Sequence, residues 1–290
     1  MNIRQPMRAG SFYEASASSC RHHATKLLES AAPGAGLPAK LCGGLVPHAG
    51  WMYSGALAAR TFKLLESDRP LQTVVLLGAD HTGSVRGAEL FDSGVWRTPL
   101  GDGRVDEELA AGLVAADGRI RANPAAHRHE HSIEVQVPLL QAIRQEIRIV
   151  PIMVAPGPDA VAIGQAIGRV LAAGAPQARV VGSSDLTHHG GQFGSPGGTG
   201  EDGVEWSAAN DRRLLDLIER MDAEAVVPEV AARGNACGAG AIAATIAASR
   251  EMGATRGVCV QYTNSYRVVR EIYPDVRDYT TVGYACVVFG

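Results

Sequence analysis

Short β-branched apolar runs alternate with longer helix-period patterns along the chain, and this alternation limits the fold more than any other feature. The runs at 43–46, 73–77, 147–154, 179–182, 257–262 and 281–289 read as strands. Between them, apolar residues at helical spacing predict helices near 17–31, 54–66, 105–116, 132–145, 158–173, 206–220, 222–232 and 238–252. The strand runs show no clean in–out alternation, which suits strands buried on both sides. Together the two patterns predict an α/β protein whose central sheet is flanked by helices on both faces. The segment GGQFGSPGGTGEDG at 190–203 cannot pack a core and reads as a flexible loop. The strand–helix alternation resumes after it, so it is expected to be a loop within one domain covering 1–290, not a linker between two.

Composition works by exclusion. The formal charge is −3, with no basic run and no interleaving of basic and aromatic residues, so nucleic acid is not the expected partner. No stretch of about 18 apolar residues is present to span a membrane. The first residues carry no apolar signal segment. Five cysteines, at 20, 42, 237, 259 and 286, are odd in number and never fall as CxxC. They read as reduced thiols of a cytoplasmic protein.

Four polar clusters carry the chemistry. His48 lies in Val46-Pro47-His48-Ala49-Gly50, His81 in Gly78-Ala79-Asp80-His81, and His188 in Ser183-Ser184-Asp185-Leu186-Thr187-His188. Cys237 precedes an Ala-rich helix as Ala236-Cys237-Gly238. Ligands of open α/β sheets bind beyond the carboxyl ends of the strands, so three strand-end histidines would meet in one crevice. Imidazole is the commonest metal ligand and thiolate a strong soft one. Each residue alone has a plainer reading: a strand-end histidine is often a hydrogen-bonded loop residue, and a single cysteine a small buried apolar one. A nucleophilic pair of Cys237 with His188 is a third alternative, because a helix start favours a thiolate whatever its use.

The densest polar patch is His127-Arg128-His129-Glu130-His131-Ser132-Ile133-Glu134. As a strand it would set three imidazoles on one face. The spacing of Ile133, Val137, Leu140 and Ile143 instead predicts a helix starting nearby, with His131 entering the pocket and His127 and His129 on the surface. Pro138 should kink that helix or mark its first turn. Glu130 and Glu134 either orient ligand histidines or lie solvated. No phosphate loop, HExxH helix or GxSxG elbow is present.

Taken in order, these motifs resemble the Memo family, also called the B component of the AmmeMemoRadiSam system. The likeness begins with Arg4 and Ala9-Gly10-Ser11-Phe12-Tyr13, then Pro47-His48-Ala49-Gly50 with Tyr53-Ser54-Gly55, then Gly78-Ala79-Asp80-His81. It continues through Arg97-Thr98-Pro99-Leu100-Gly101, Val105-Asp106, Glu130-His131-Ser132-Ile133-Glu134, Ser183-Ser184-Asp185 with His188, and Cys237-Gly238. The resemblance implies a mixed-sheet fold like that of the class III extradiol dioxygenases, where two histidines and a carboxylate hold non-haem Fe(II) and a further histidine is the acid/base. Carried over, His48 and His81 match the two ligands, Cys237 stands at the carboxylate's place, and His188 matches the acid/base. His131, Tyr53 and Asp80 would line the substrate pocket, Asp185 would orient His188 or cap a neighbouring turn, and the 190–203 loop would close over the site. A thiolate ligand shifts the metal expected from Fe(II) towards copper, with zinc as a third candidate. Serines are fewer than the family pattern around 262–265 and 281–285. The resemblance also implies a functional link to radical-SAM and AMMECR-type proteins. It leaves two uses open: redox chemistry on a small molecule, or adaptor-like binding of a peptide.

Overall fold

The computed structural model describes residues 2–191, 193–194 and 197–290. Chain order runs β1 (Ile3–Arg4), α1 (Ala17–Glu29), β2 (Gly43–Val46), α2 (Trp51–Asp68), β3 (Thr73–Gly78), β4 (Ala88–Leu90), β5 (Val95–Thr98) and β6 (Gly101–Arg104). It continues with α3 (Glu107–Ala116), β7 (Ile120–Ala122), α4 (Val137–Ile143), β8 (Arg148–Val154), α5 (Ala160–Gly174), β9 (Arg179–Ser183) and β10 (His188–His189). The last elements are α6 (Gly200–Glu219), α7 (Ala223–Arg233), α8 (Ala239–Glu251), β11 (Gly257–Asn264), α9 (Ser265–Ile272) and β12 (Thr281–Phe289).

The main sheet is mixed, in the order β10-β12-β2-β9-β3-β8-β4-β7, with β11 also paired to β12. Its centre, β2-β9-β3-β8, is parallel, while β12 joins β2, and β4 joins β8, antiparallel. Every residue of β3, Thr-Val-Val-Leu-Leu-Gly, is buried. Such strands form because β-branched and aliphatic side chains gain on both faces of a covered sheet, each buried one contributing about 1.5–3 kcal/mol. Successive strand residues point to opposite faces. At Gly43 a side chain would meet Ser249 of α8, and at Gly44 it would meet Thr61 of α2, so α2 and α8 cover opposite faces. α5 lies against α8 at very close range: a Cβ on Gly164 would stand 2.2 Å from the Ala244 carbonyl oxygen, and one on Gly168 2.5 Å from that of Ala248. A smaller sheet, β1-β5-β6, anchors the N-terminal strand.

The order of strands positions the site. The chain makes β2, β3 and β8 first and then inserts β9 between β2 and β3. The loops that follow β2, β3 and β9 therefore emerge side by side at the carboxyl edge, where α/β sheets bind ligands.

The predicted strands and helices are all present within a few residues, with two corrections. The glycine-rich loop is shorter than expected, because α6 begins at Gly200 and takes in 200–203; the part of that expectation on 192, 195 and 196 lies outside the described residues. The 132–145 helix is a 3-10 turn at Glu134–Gln136 followed by α4, with Pro138 in the first turn of α4. Pro124–Arg128 is a 3-10 helix, so the three histidines do not share a strand face, in line with the reading preferred from the spacing. Among the described residues no helix is long and apolar enough to cross a membrane.

Candidate metal centre

His48 sits two residues past β2 in the four-residue turn Pro47–Gly50 that leads into α2. Its backbone N–H donates to Asp185 Oδ1 at 2.7 Å, which ties the β2 loop to the β9 loop. Its Nδ1 is 3.0 Å from Ser183 Oγ, and that hydroxyl donates its proton to the Ser132 carbonyl at 2.7 Å. A hydroxyl has one proton to give, so Ser183 accepts from His48 Nδ1–H. Nε2 of His48 is thereby left as a lone pair, 3.1 Å from Cys237 Sγ. Burial, reinforced by the charges of His131 and His81, holds the His48 imidazole well below its usual pKa, in the neutral form that binds metal.

His81 is fixed by a different device. Gly78 ends β3 where any Cβ would stand 2.7 Å from Ile133 and Ser132, so a glycine lets the 130–133 segment close onto the strand end. That contact brings the buried Glu130 carboxylate to 3.0 and 3.1 Å from His81 Nδ1. Glu130 also accepts the backbone N–H groups of His81, His131 and Ser132. A carboxylate on Nδ1 fixes the tautomer and aims Nε2 at the metal position, the arrangement seen around histidine-ligated metals.

Cys237 reaches the same point from α8. Gly238 admits the close approach, because a Cβ there would stand 2.8 Å from the Ser183 carbonyl and the Ser184 side chain. The Gly238 N–H donates to Ser184 Oγ at 2.9 Å. The donor atoms of His48, His81 and Cys237 all lie within 4.8 Å of one another. Zn–N bonds near 2.0 Å and Zn–S bonds near 2.3 Å place tetrahedral donors roughly 3.3–3.8 Å apart, so the trio can close on one ion with small adjustments. His81, Glu130 and His131 are equally close together. Glu130, however, is buried and already accepts several N–H groups, which makes it a holder of His81, not a ligand.

His131 lines the pocket as expected: its ring stacks on His81 at 4.6 Å, and its edge contacts are with His48 at 5.4 Å and Phe12 at 5.2 Å. His188 is not one of the grouped donors among the described residues, and its ring meets that of Phe193 at 5.1 Å. Its Nδ1 bonds the Leu186 carbonyl at 3.0 Å, so Leu186, not Asp185, sets its tautomer among the described contacts. Asp185 caps the His48 turn, and burial pushes its carboxyl up to about 7. Asp80 ties its own loop by accepting from Thr82, Ser84 and Val85. Tyr53 sits half-buried in the first turn of α2. His129 is exposed, but His127 is fully buried, contrary to the surface position expected for it. It packs between Phe91 and Trp96, with Nε2 on the Glu89 carbonyl. Ser183 was not singled out from the sequence; its place at the end of a buried strand, directly before Ser184-Asp185, is the signal that marks it.

Two predictions arise here. In the metal-free protein, burial opposes the charged form of His81, but Cys237 and Glu130 outweigh it and lift the imidazole to about 10. Burial also raises the Cys237 thiol. The lift on His81 draws in part on an ionised Cys237, so at pH 7 the pair holds at least one proton that a metal must displace, and uptake should release one or more protons per ion. Affinity should accordingly rise with pH until both groups have deprotonated. Calorimetry in buffers of different ionisation enthalpy reads this directly, and metal uptake without proton release would contradict it. Second, Glu130→Gln should lower metal affinity about 10- to 100-fold in a chelator competition, because the ring loses its carboxylate partner. Unchanged affinity would show that Glu130 does not orient His81.

Fold and site together define a class: an α/β protein with a two-histidine, one-cysteine pocket at the carboxyl edge of its parallel strands. The chain belongs to the Memo family, whose model, described as Memo-like protein, matches residues 4–288. It is similar to a MEMO1 family protein of Methanothermobacter thermautotrophicus, 37% identical over 91% of this chain and 94% of that one. A MEMO1 family protein of Methanopyrus kandleri is 37% identical over 87% and 84% of the two chains. One of Aeropyrum pernix is 36% identical over 96% and 100%.

Proposed function

We propose that this chain is a metal-dependent oxidoreductase of small organic substrates, akin in fold and site to the class III extradiol dioxygenases, with His48, His81 and Cys237 holding one Fe(II) or copper ion. Zinc fits the same donors but would bring no redox chemistry of its own. The observation that carries the reading is the preset state of the donors. Ser183 and Glu130 each occupy an Nδ1, which leaves both Nε2 atoms and one Sγ aimed at a common point. Three protein donors leave a coordination position open, and a bound redox ion would supply there a site for a substrate oxygen and for electron transfer to O₂.

The chain's own residues would do the rest. His188 is kept neutral by burial. Its Nδ1–H is committed to Leu186, so Nε2 is a free acceptor able to take a proton from a substrate hydroxyl. His131 and Phe12 offer a flat wall beside His81. The same geometry disfavours a metal-free cysteine hydrolase, because burial holds Cys237 as the thiol and not the thiolate.

The test is oxygen uptake by iron- or copper-loaded protein over a panel of phenols and enediols, with His188→Ala alongside. The variant should keep its metal and lose turnover by about 10²–10⁴-fold. Full turnover in His188→Ala would remove its acid/base role. No uptake with any substrate, in protein shown to hold the metal, would remove the oxidoreductase reading.

A further inference from the structure

The N-terminal loop places beside the pocket a cation that the fold does not use. The Arg8 guanidinium lies over the Phe12 ring, 4.9 Å from its centroid. Phe12 in turn meets His131 at 5.2 Å, and His131 stacks on His81 at 4.6 Å. Yet the Arg8 Nε is buried without an acceptor among the described residues.

Arg4 shows how unusual this is within the same segment. Its guanidinium is saturated by Glu134, by the carbonyls of His127 and Glu130, and by that of Gln5. An N–H cut off from water and left unbonded is rare in folded proteins, and its cost is removed only by an acceptor. The nearby carboxylates cannot serve. Glu134 already takes Arg4, the Tyr13 hydroxyl and the backbone N–H groups of Met7 and Arg8. Glu130 takes His81 and three backbone N–H groups. Neither carboxylate pairs with the guanidinium of half-buried Arg8, which is left to meet an acceptor from outside the chain.

A guanidinium held flat on an aromatic ring keeps its planar fork set for a carboxylate. The rings of Phe12 and His131 link Arg8 to His81 by successive contacts, surfaces suited to a planar organic group. We propose that Arg8 is a specificity-determining residue of this pocket, which selects substrates carrying a carboxylate on a planar ring or conjugated chain whose other end faces His48, His81 and Cys237. This rests on reading the crevice as a substrate site, and it names the class of substrate that reading left open.

The probes are 4-hydroxybenzoate and its neutral counterpart 4-hydroxybenzamide, titrated calorimetrically into the full chain stripped of metal by a chelator. Without metal, the carboxylate cannot be held by the ion. Wild type should bind the acid at least about tenfold more tightly than the amide, as a charge-assisted fork requires. Arg8→Met keeps an unbranched apolar stem over Phe12; it should lose that preference, chiefly by weakening binding of the acid. Equal affinities in wild type, no binding of either probe, or a preference surviving in Arg8→Met would each overturn the proposal. Because the readout needs neither metal nor turnover, an Arg8-dependent preference in a chain that never binds metal would sink the oxidoreductase and leave this anion site standing. Metal uptake without the preference would do the reverse.

Discussion

Cys237→Ala is expected to weaken metal binding by roughly a thousandfold while leaving the metal-free fold within about 1 kcal/mol of wild type. Apparent binding energies of structural zinc sites are about 10–16 kcal/mol, so one donor among three carries on the order of 4 kcal/mol. The thiolate is the softest of the three and the main reason to expect copper or iron over a hard cation. Little else depends on it: apart from the histidines, its Sγ makes long contacts at 3.6 Å to the Asp185 carbonyl and 3.8 Å to Ser184 Oγ, and alanine keeps the backbone N–H bond to that same carbonyl. Competition against a chromophoric chelator measures the loss. Affinity retained within tenfold would mean that Cys237 is not a ligand, and would move attention to His81, Glu130 and His131.

Glu134→Ala has the largest expected effect on folding, a loss of about 3–5 kcal/mol. Its carboxylate is 1% exposed and 2.5 Å from the Arg4 guanidinium, which is itself 4% exposed. The other carboxylate oxygen accepts from Met7, Arg8 and Tyr13. Alanine would leave a buried cation unpaired and three further donors without acceptors, and removal of one partner is the costly way to break such a pair. Arg4 also holds the carbonyls of His127 and Glu130, so the damage should spread to the segment that presents Glu130 and His131. Thermal unfolding reports the stability and chelator competition the metal affinity, and both should fall together. A melting temperature within about 2 °C of wild type would show that the pair does not brace this segment.

How much of this was legible in the sequence depended on the range of the forces involved. β2 and β12 could be delimited to the residue, because a buried strand writes itself as an apolar β-branched run. Ile3–Arg4, Ala88–Leu90, Ile120–Ala122 and His188–His189 could not, since two or three residues show no period and exist as strands only through their neighbours. The same holds for Ser265–Ile272, squeezed between two strands, although the Asn264 side chain that caps it on Arg267 N–H was a local clue. His48, His81, His131 and Cys237 were readable because loops at one sheet edge converge. His127 was misplaced because its burial comes from Phe91 and Trp96, residues far away in the chain. The alternative for Glu130, holder or solvated, could be resolved only by the packing of Ile133 and Ser132 onto Gly78.

The most direct test of the central claim is the metal content of the purified chain, measured by elemental mass spectrometry after anaerobic preparation, with His48→Ala treated identically. The proposed function predicts close to one equivalent of iron or copper in the wild type and a loss of most of it in the variant. No metal in either, even after reconstitution with each ion in turn, would contradict the metal centre and the oxidoreductase built on it.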